Sequence, residues 1–138
     1  MAVALVKFHS FIEACMEGKH NFASDTLKYA FTDTEPSVSA DAVLADVAGT
    51  IVTTNMDTIT ATGVTSTQTG GTFKLVIGDL LITAGGALDQ FQYVVLYNDD
   101  APSDEVIGYY DYGSAVNMVD TNTFNIDNDP IAGVFTNT

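Results

Sequence analysis

Two short stretches of this chain gather side chains that do chemistry through oxygen. Asn98, Asp99, Asp100 and Asp104 fall in one, and Asp127, Asn128 and Asp129 in the other. Carboxylate and amide oxygens are the ligands calcium prefers. Neither stretch has the alternating ligands, central glycine and terminal glutamate of an EF-hand loop. Asx residues also form turns with no ion, because their short side chains hydrogen-bond the local backbone. That architectural reading is the better fit, and no metal or cofactor is expected.

The remaining chemical candidates are weaker. His9 and Glu13 stand four residues apart and His20 lies beyond them, but zinc needs more ligands than this and no metalloprotease motif follows. A lone Cys15 excludes an internal disulfide and a cysteine-based metal site, and reads as a small buried hydrophobe. Paired carboxylates could cleave a glycoside, yet the chain has no tryptophan to serve as a sugar platform. Gly70-Gly71 and Gly85-Gly86 lack the Lys-Ser/Thr or the long helix that a phosphate loop requires, and no nucleophile elbow occurs. Tyr109, Tyr110 and Tyr112 could stack on a ligand, but such residues more often fill a sheet core or an interface. No catalytic, cofactor-binding or metal-binding residue is therefore assigned.

The elements that carry these residues read as mainly β. Tyr93 to Tyr97 is an unbroken apolar and aromatic run suited to a buried strand, and the polar loop Asn98–Ser103 reverses the chain. From Glu105 to Tyr112 the pattern alternates. Val106, Gly108, Tyr110 and Tyr112 are expected on one face, with Ile107, Tyr109 and Asp111 on the other. Thr123 to Ile126 keeps the period, which suggests a hairpin plus a third strand. Upstream, Leu27, Tyr29 and Phe31 alternate with Lys28, Ala30 and Thr32, predicting a strand with one buried face. Leu5, Phe8, Ile12, Cys15 and Met16 recur at helical spacing before Gly18, predicting an amphipathic helix over about residues 4–17. Ser39 and Asp41 precede a second, short helix over Ala42–Val47.

Thr50 to Thr72 holds ten threonines and few large apolar residues, so short strands exposed on one side are expected there. Thr72–Ile77 and Leu80–Thr83 read as strands separated by a turn or bulge at Gly78-Asp79. Asp127 to Pro130 forms a turn before a closing strand over Ile131–Phe135. The expected architecture is one domain over 1–138, an antiparallel β-sandwich or partly open barrel with a β core over about 26–135. Its core is expected to hold Leu27, Tyr29, Phe31, Leu75, Ile77, Val94, Leu96, Ile107, Tyr109 and Phe124.

Length and composition suit one domain with its own core: 138 residues, 46% of them apolar. No run is long enough to span a bilayer, and MAVALVKF is too short and too poor in basic residues for a secretory signal. Charge is the unusual feature. Eighteen acidic residues face four lysines and no arginine, for a net charge of −14. That balance argues against nucleic-acid partners, whose contacts are built from Lys and Arg, and against anionic membranes. The acids are spread along the chain, as for a solvated surface that keeps crowded molecules apart, or for one that meets a basic partner.

One resemblance adds to this. The pattern YVVLYNDD…DEVIGYYDYGSAV…TFNID resembles small structural proteins encoded in the virion modules of tailed bacteriophages. Val106 to Gly113 matches their hydrophobic-Gly-aromatic-x-Asp-aromatic-Gly strand. KFHSFIEACMEG, the strand Asp25–Phe31 and the acidic helix Ala40–Val47 fit in order, whereas the threonine-rich middle has no counterpart. The resemblance implies a non-enzymatic particle component made in the host cytoplasm and placed on the outer surface of the virion head. A capsid decoration (cement) protein would bind the major capsid protein and form a homo-oligomer, a trimer or dimer. The alternative is a tail or head-surface component that binds a receptor or glycan. The N-terminal segment and the threonine-rich region are the expected contact surfaces.

Overall fold

The computed structural model describes residues 3–49 and 51–137. Met1, Ala2, Thr50 and Thr138 lie outside the described residues, so the threonine-rich reading is followed from Ile51 onward. In chain order the elements are β1 (Leu5–Lys7), α1 (Ser10–Met16), β2 (Leu27–Thr32), β3 (Ile59–Thr60), β4 (Thr65–Thr69), β5 (Thr72–Val76), β6 (Leu80–Thr83), β7 (Phe91–Asn98), β8 (Val106–Val116), β9 (Thr123–Ile126) and β10 (Phe135–Asn137). The fold is mainly β, antiparallel and sandwich-like. A five-stranded sheet in the order β1-β8-β7-β2-β3 faces a three-stranded sheet, β10-β5-β4, and a two-stranded one, β6-β9. Among the described residues no helix is long and apolar enough to cross a membrane.

Hydrophobic side chains between these layers form the main core. Leu27, Tyr29 and Phe31 of β2 and Phe91, Val94 and Leu96 of β7 meet Leu75, Ile82, Ile126 and Phe135 from the smaller sheets. The five-stranded sheet is covered on its other face too. Ala30, Val95, Tyr97, Val106 and Tyr109 pack there with Phe8 and Val47, under the segment that carries Val38, Leu44 and Ile51. Burial on both faces explains why Tyr93–Tyr97 reads as a continuous apolar run rather than an alternating one. It also corrects the reading of β2, whose Ala30 and Thr32 are as buried as Leu27, Tyr29 and Phe31.

Of the expected core residues, nine are buried, Tyr109 in the second core, while Phe124 is half-buried at the rim of the main one. The alternation along β8 holds only in part. Leu96 pairs with Gly108 but Tyr97 with Val106, so one extra residue sits in β8 as a bulge. Val106 therefore faces the second core while Ile107 joins Tyr110 and Tyr112 on the main one. β9 is a strand, as its period suggests, but pairs with β6 and not with the β7–β8 hairpin.

The N-terminal helix is shorter than its spacing predicts. Leu5 to Lys7 is extended and pairs with β8. Phe8 turns into the second core, and α1 buries Phe11 and Ala14, leaving Ile12 40% and Met16 81% exposed. The free edge of β8 offers three residues a ladder, a better use of the chain than one more turn of a marginal helix. Gly108 makes that pairing possible, because a Cβ there would stand 2.7 Å from the Val6 carbonyl oxygen and 2.7 Å from Leu5 Cγ. The second helix shrinks to a 3-10 turn, Leu44–Asp46, whose Asp46 Oδ2 accepts from the Ala42 and Val43 amides. The closing strand starts later than expected. Residues 130–132 form a turn with Ile131 82% exposed, and β10 pairs Phe135, Thr136 and Asn137 with β5.

Candidate functional site

Both oxygen-rich clusters prove to be junctions of the fold. Asn98, at the end of β7, is fully buried and its Nδ2 donates to Asp25 Oδ2 at 2.7 Å. Its Oδ1 accepts from the Asp100 amide, and Asp100 Oδ2 accepts from the Thr26 amide at 2.7 Å. Asp99 pairs with Lys28 at 3.0 Å across the sheet. These bonds tie the β7–β8 loop to the chain entering β2. Asp104 stands in the same loop with φ at 55°, and burial, aided by Asp99 and Glu105, holds its carboxyl above the usual range. Asn98 Oδ1 and Asp100 Oδ2 thus each already accept a backbone amide.

Asn128 sits in a second junction, beneath the main core. Its Oδ1 accepts from Tyr110 Oη at 2.9 Å, and its Nδ2 donates to Tyr29 Oη and to the Gly78 carbonyl, each at 3.3 Å. The Asn128 amide donates to Asp79 Oδ1 at 2.7 Å. One side chain thus joins β2, β8, the β5–β6 connection and the loop after β9. Asp129 Oδ1 accepts from the Ile131 and Ala132 amides, and these bonds hold its carboxyl below the usual range. The two clusters serve separate junctions.

The tyrosines fill the core. Burial, above all, pushes the hydroxyl pKa values of Tyr110 and Tyr112 far up, and Tyr109 up to about 12, the last also because its Oη donates to Glu35 Oε1 at 3.1 Å. None is placed as an exposed stacking platform: Tyr109 and Tyr110 are buried, and Tyr112 packs edge-on against Phe124.

His9 and Glu13 are exposed at the start of α1 and in its first turn. His20 is elsewhere, its ring stacked on Phe22 at 5.5 Å and tilted against Phe11. Asn98 Nδ2 lies 3.1 Å from His20 Nδ1. An amide nitrogen only donates, so Nδ1 accepts and the neutral ring carries its proton on Nε2. That Nε2 is buried without a hydrogen-bond partner among the described residues. Among the described residues no group of three or more His, Cys, Asp and Glu is arranged to hold a metal ion.

Two clefts share Phe135 as a wall. One of about 430 Å³ runs between β1 and β10, with Lys7, Asn128 and Asp129 among its walls. The Lys7 amine lies over the Phe135 ring, 5.7 Å from its centre. The second, of about 200 Å³, is lined by Phe11, Cys15, His20, Phe22, Phe73 and Phe135. Cys15 is half-buried there, and loss of hydration raises its thiol pKa. The buried small hydrophobe expected is thus half-buried, packed on the edge of the main core as a pocket wall.

Sequence reasoning flagged Asn98 and Asn128 for their type but missed what they hold. Their partners Asp25, His20, Tyr29 and Gly78 lie far away in the chain, and nothing local marks them. Gly108 did carry a signal, as a glycine inside an aromatic strand pattern where a bulge or close backbone approach is the usual reason. Comparison of the chain with protein-family models, with characterised proteins and with solved structures finds no match.

Proposed function

We propose that this protein is a non-enzymatic structural component of a tailed-phage particle, a decoration protein on the outside of the head. There it stabilises the shell through contacts with the major capsid protein and with copies of itself. One observation carries this reading: the side chains best suited to chemistry are spent on holding the fold together. Asn98, Asp100, Asn128, Asp129, Tyr109 and Tyr110 are each engaged by backbone or side-chain partners of the same chain. The outer surface is then distinguished by its charge, −14 overall. Such a surface keeps closely spaced copies from clumping. The absence of arginine suits a position outside the shell, away from DNA. Small domains that bridge neighbouring shell subunits gain from repetition, since each weak contact is multiplied over many copies. The resemblance of Val106–Gly113 and its flanks to phage virion proteins points the same way.

The test is made on purified particles. Particles that carry the protein should show it at a fixed copy number on the head surface. Heads lacking it should melt at lower temperature and regain the difference when it is added back. Heads that melt identically with and without it, and have no vacant surface sites, would rule decoration out. Binding to cells or polysaccharide with no effect on head stability would assign the receptor- or glycan-binding role instead.

A further inference from the structure

The outer strand of the three-stranded sheet has the chemistry of an edge left open for pairing. Among the described residues β4, Thr65–Thr69, is hydrogen-bonded to β5 on one side only, and all five of its residues are exposed. Its ladder is regular over five pairs, Thr65↔Val76 to Thr69↔Thr72, with no bulge. Gly70 and Gly71, at φ 58° and 85°, close it with the tight left-handed turn that matches strand twist. Edge strands are normally blunted by a charge, a proline, a bulge or a covering loop. Among the described residues this one has none of these.

The charge pattern makes the same point. From Thr58 to Phe73 there are sixteen residues without an Asp, Glu, Lys, Arg or His, the longest such run in the chain, bounded by Asp57 and Lys74. Lys74 lies opposite Thr67 on β5, but its amine donates to the Ile131 carbonyl, on the β10 side of the sheet. A basic partner would be drawn to the acidic faces. Two copies at −14 each repel one another almost everywhere, so self-contact is least opposed at this strand. Its sequence, Thr-Ser-Thr-Gln-Thr, also reads nearly the same in both directions.

We propose that β4 is a self-pairing edge, through which two copies join antiparallel about a two-fold axis at Thr67 and fuse their three-stranded sheets. In an antiparallel ladder, alternate residues turn their N–H and C=O groups toward the neighbour. With Thr69 and Thr72 closing the hairpin, Ser66 and Gln68 aim theirs outward. Thr67 then meets its own mate, Ser66 meets Gln68, and Thr65 meets Thr69. About four new backbone hydrogen bonds form, and threonines stack opposite threonines on one face. A five-residue seam is small, so the pairing is weak in dilute solution and becomes populated where copies are crowded. It rests on the edge alone and is tested without any particle.

The experiment uses the full chain with Cys15→Ser to remove the native thiol. In that background Thr67→Cys should form a disulfide-linked dimer on mild oxidation of concentrated protein. Thr65→Cys alone should crosslink roughly tenfold more slowly, because its own mate would lie about 13 Å away, beyond disulfide reach. A mixture of Thr65→Cys and Thr69→Cys should crosslink to each other. Adding Ser66→Glu, on an exposed side chain, should suppress the Thr67→Cys dimer by placing like charges at the seam. Equal rates for Thr67→Cys and Thr65→Cys, no dimer from Thr67→Cys, or a dimer indifferent to Ser66→Glu would each overturn the proposal.

Discussion

His20 shows how a residue type that invites a functional reading can serve the interior. Its ring packs against both Phe11 and Phe22, and its Nδ1 accepts from Asn98, which also holds Asp25. Loss of hydration lowers its pKa, against the opposing pull of Glu105 and Asp25, while Lys19 adds slightly to the lowering. A histidine whose folded pKa is depressed binds fewer protons than in the unfolded chain. Stability is therefore intact above the unfolded value of about 6.5 and declines as pH falls through it toward the folded pKa. The unfolding free energy from urea titration should fall between pH 7 and pH 5. A His20→Phe variant, which keeps the stack on Phe22, should lose most of that slope. A flat wild-type profile, or an unchanged slope in the variant, would remove His20 from this role. Carboxylates fall into the same pattern: what Asp25 and Asp100 contribute is the anchoring of Asn98 and of the Thr26 amide, at the point where the chain enters β2.

The same economy governs the elements, and β1 is the clearest case. Three residues pair with β8 only because position 108 has no side chain. In Gly108→Ala the added methyl would meet the Val6 carbonyl and Leu5 together, and since one of these is backbone, β1 itself must move. Overpacking of this kind costs on the order of 1–3 kcal/mol. Hydrogen exchange should show amides of residues 5–7 losing protection well before those of β2 and β7, and uniform loss across the sheet would contradict a local effect. This element also marks the limit of legibility in the sequence. β2, β5, β6 and the β7–β8 hairpin were readable because each carries a local apolar pattern or a turn signal between strands. The helix reading over residues 4–17 failed because Leu5 and Phe8 fit a 3.6-residue period while facing different cores, a tertiary fact with no local trace. β9 was legible as a strand but its partner was not, because period two fixes faces and not neighbours. For the junctions at Asn98 and Asn128, composition revealed polar residues in turns, whereas their distant partners follow only from the topology.

At the scale of the whole molecule, electrostatic self-repulsion sets the behaviour. Eighteen acids and four lysines leave few compensating pairs. Lys28–Asp99 at 3.0 Å and Lys19–Glu17 at 2.8 Å are both at least partly exposed, and such pairs contribute little. Bringing the acids together on folding therefore opposes the compact state, more strongly at low ionic strength, where screening extends over about 30 Å at 0.01 M against about 8 Å at 0.15 M. Thermal melting in potassium chloride should rise by several degrees over that range and then level off. A neutral osmolyte matched for osmolarity should not reproduce the rise, which separates screening from general exclusion effects. The same screening lowers the barrier between two copies. Salt should thus favour crosslinking of the Thr67→Cys variant over the range in which it stabilises the monomer, since both depend on the same acids. Melting that is insensitive to salt would mean that the acids lie too far apart to repel, and the charge-free strand would then lose its advantage as the place where copies meet.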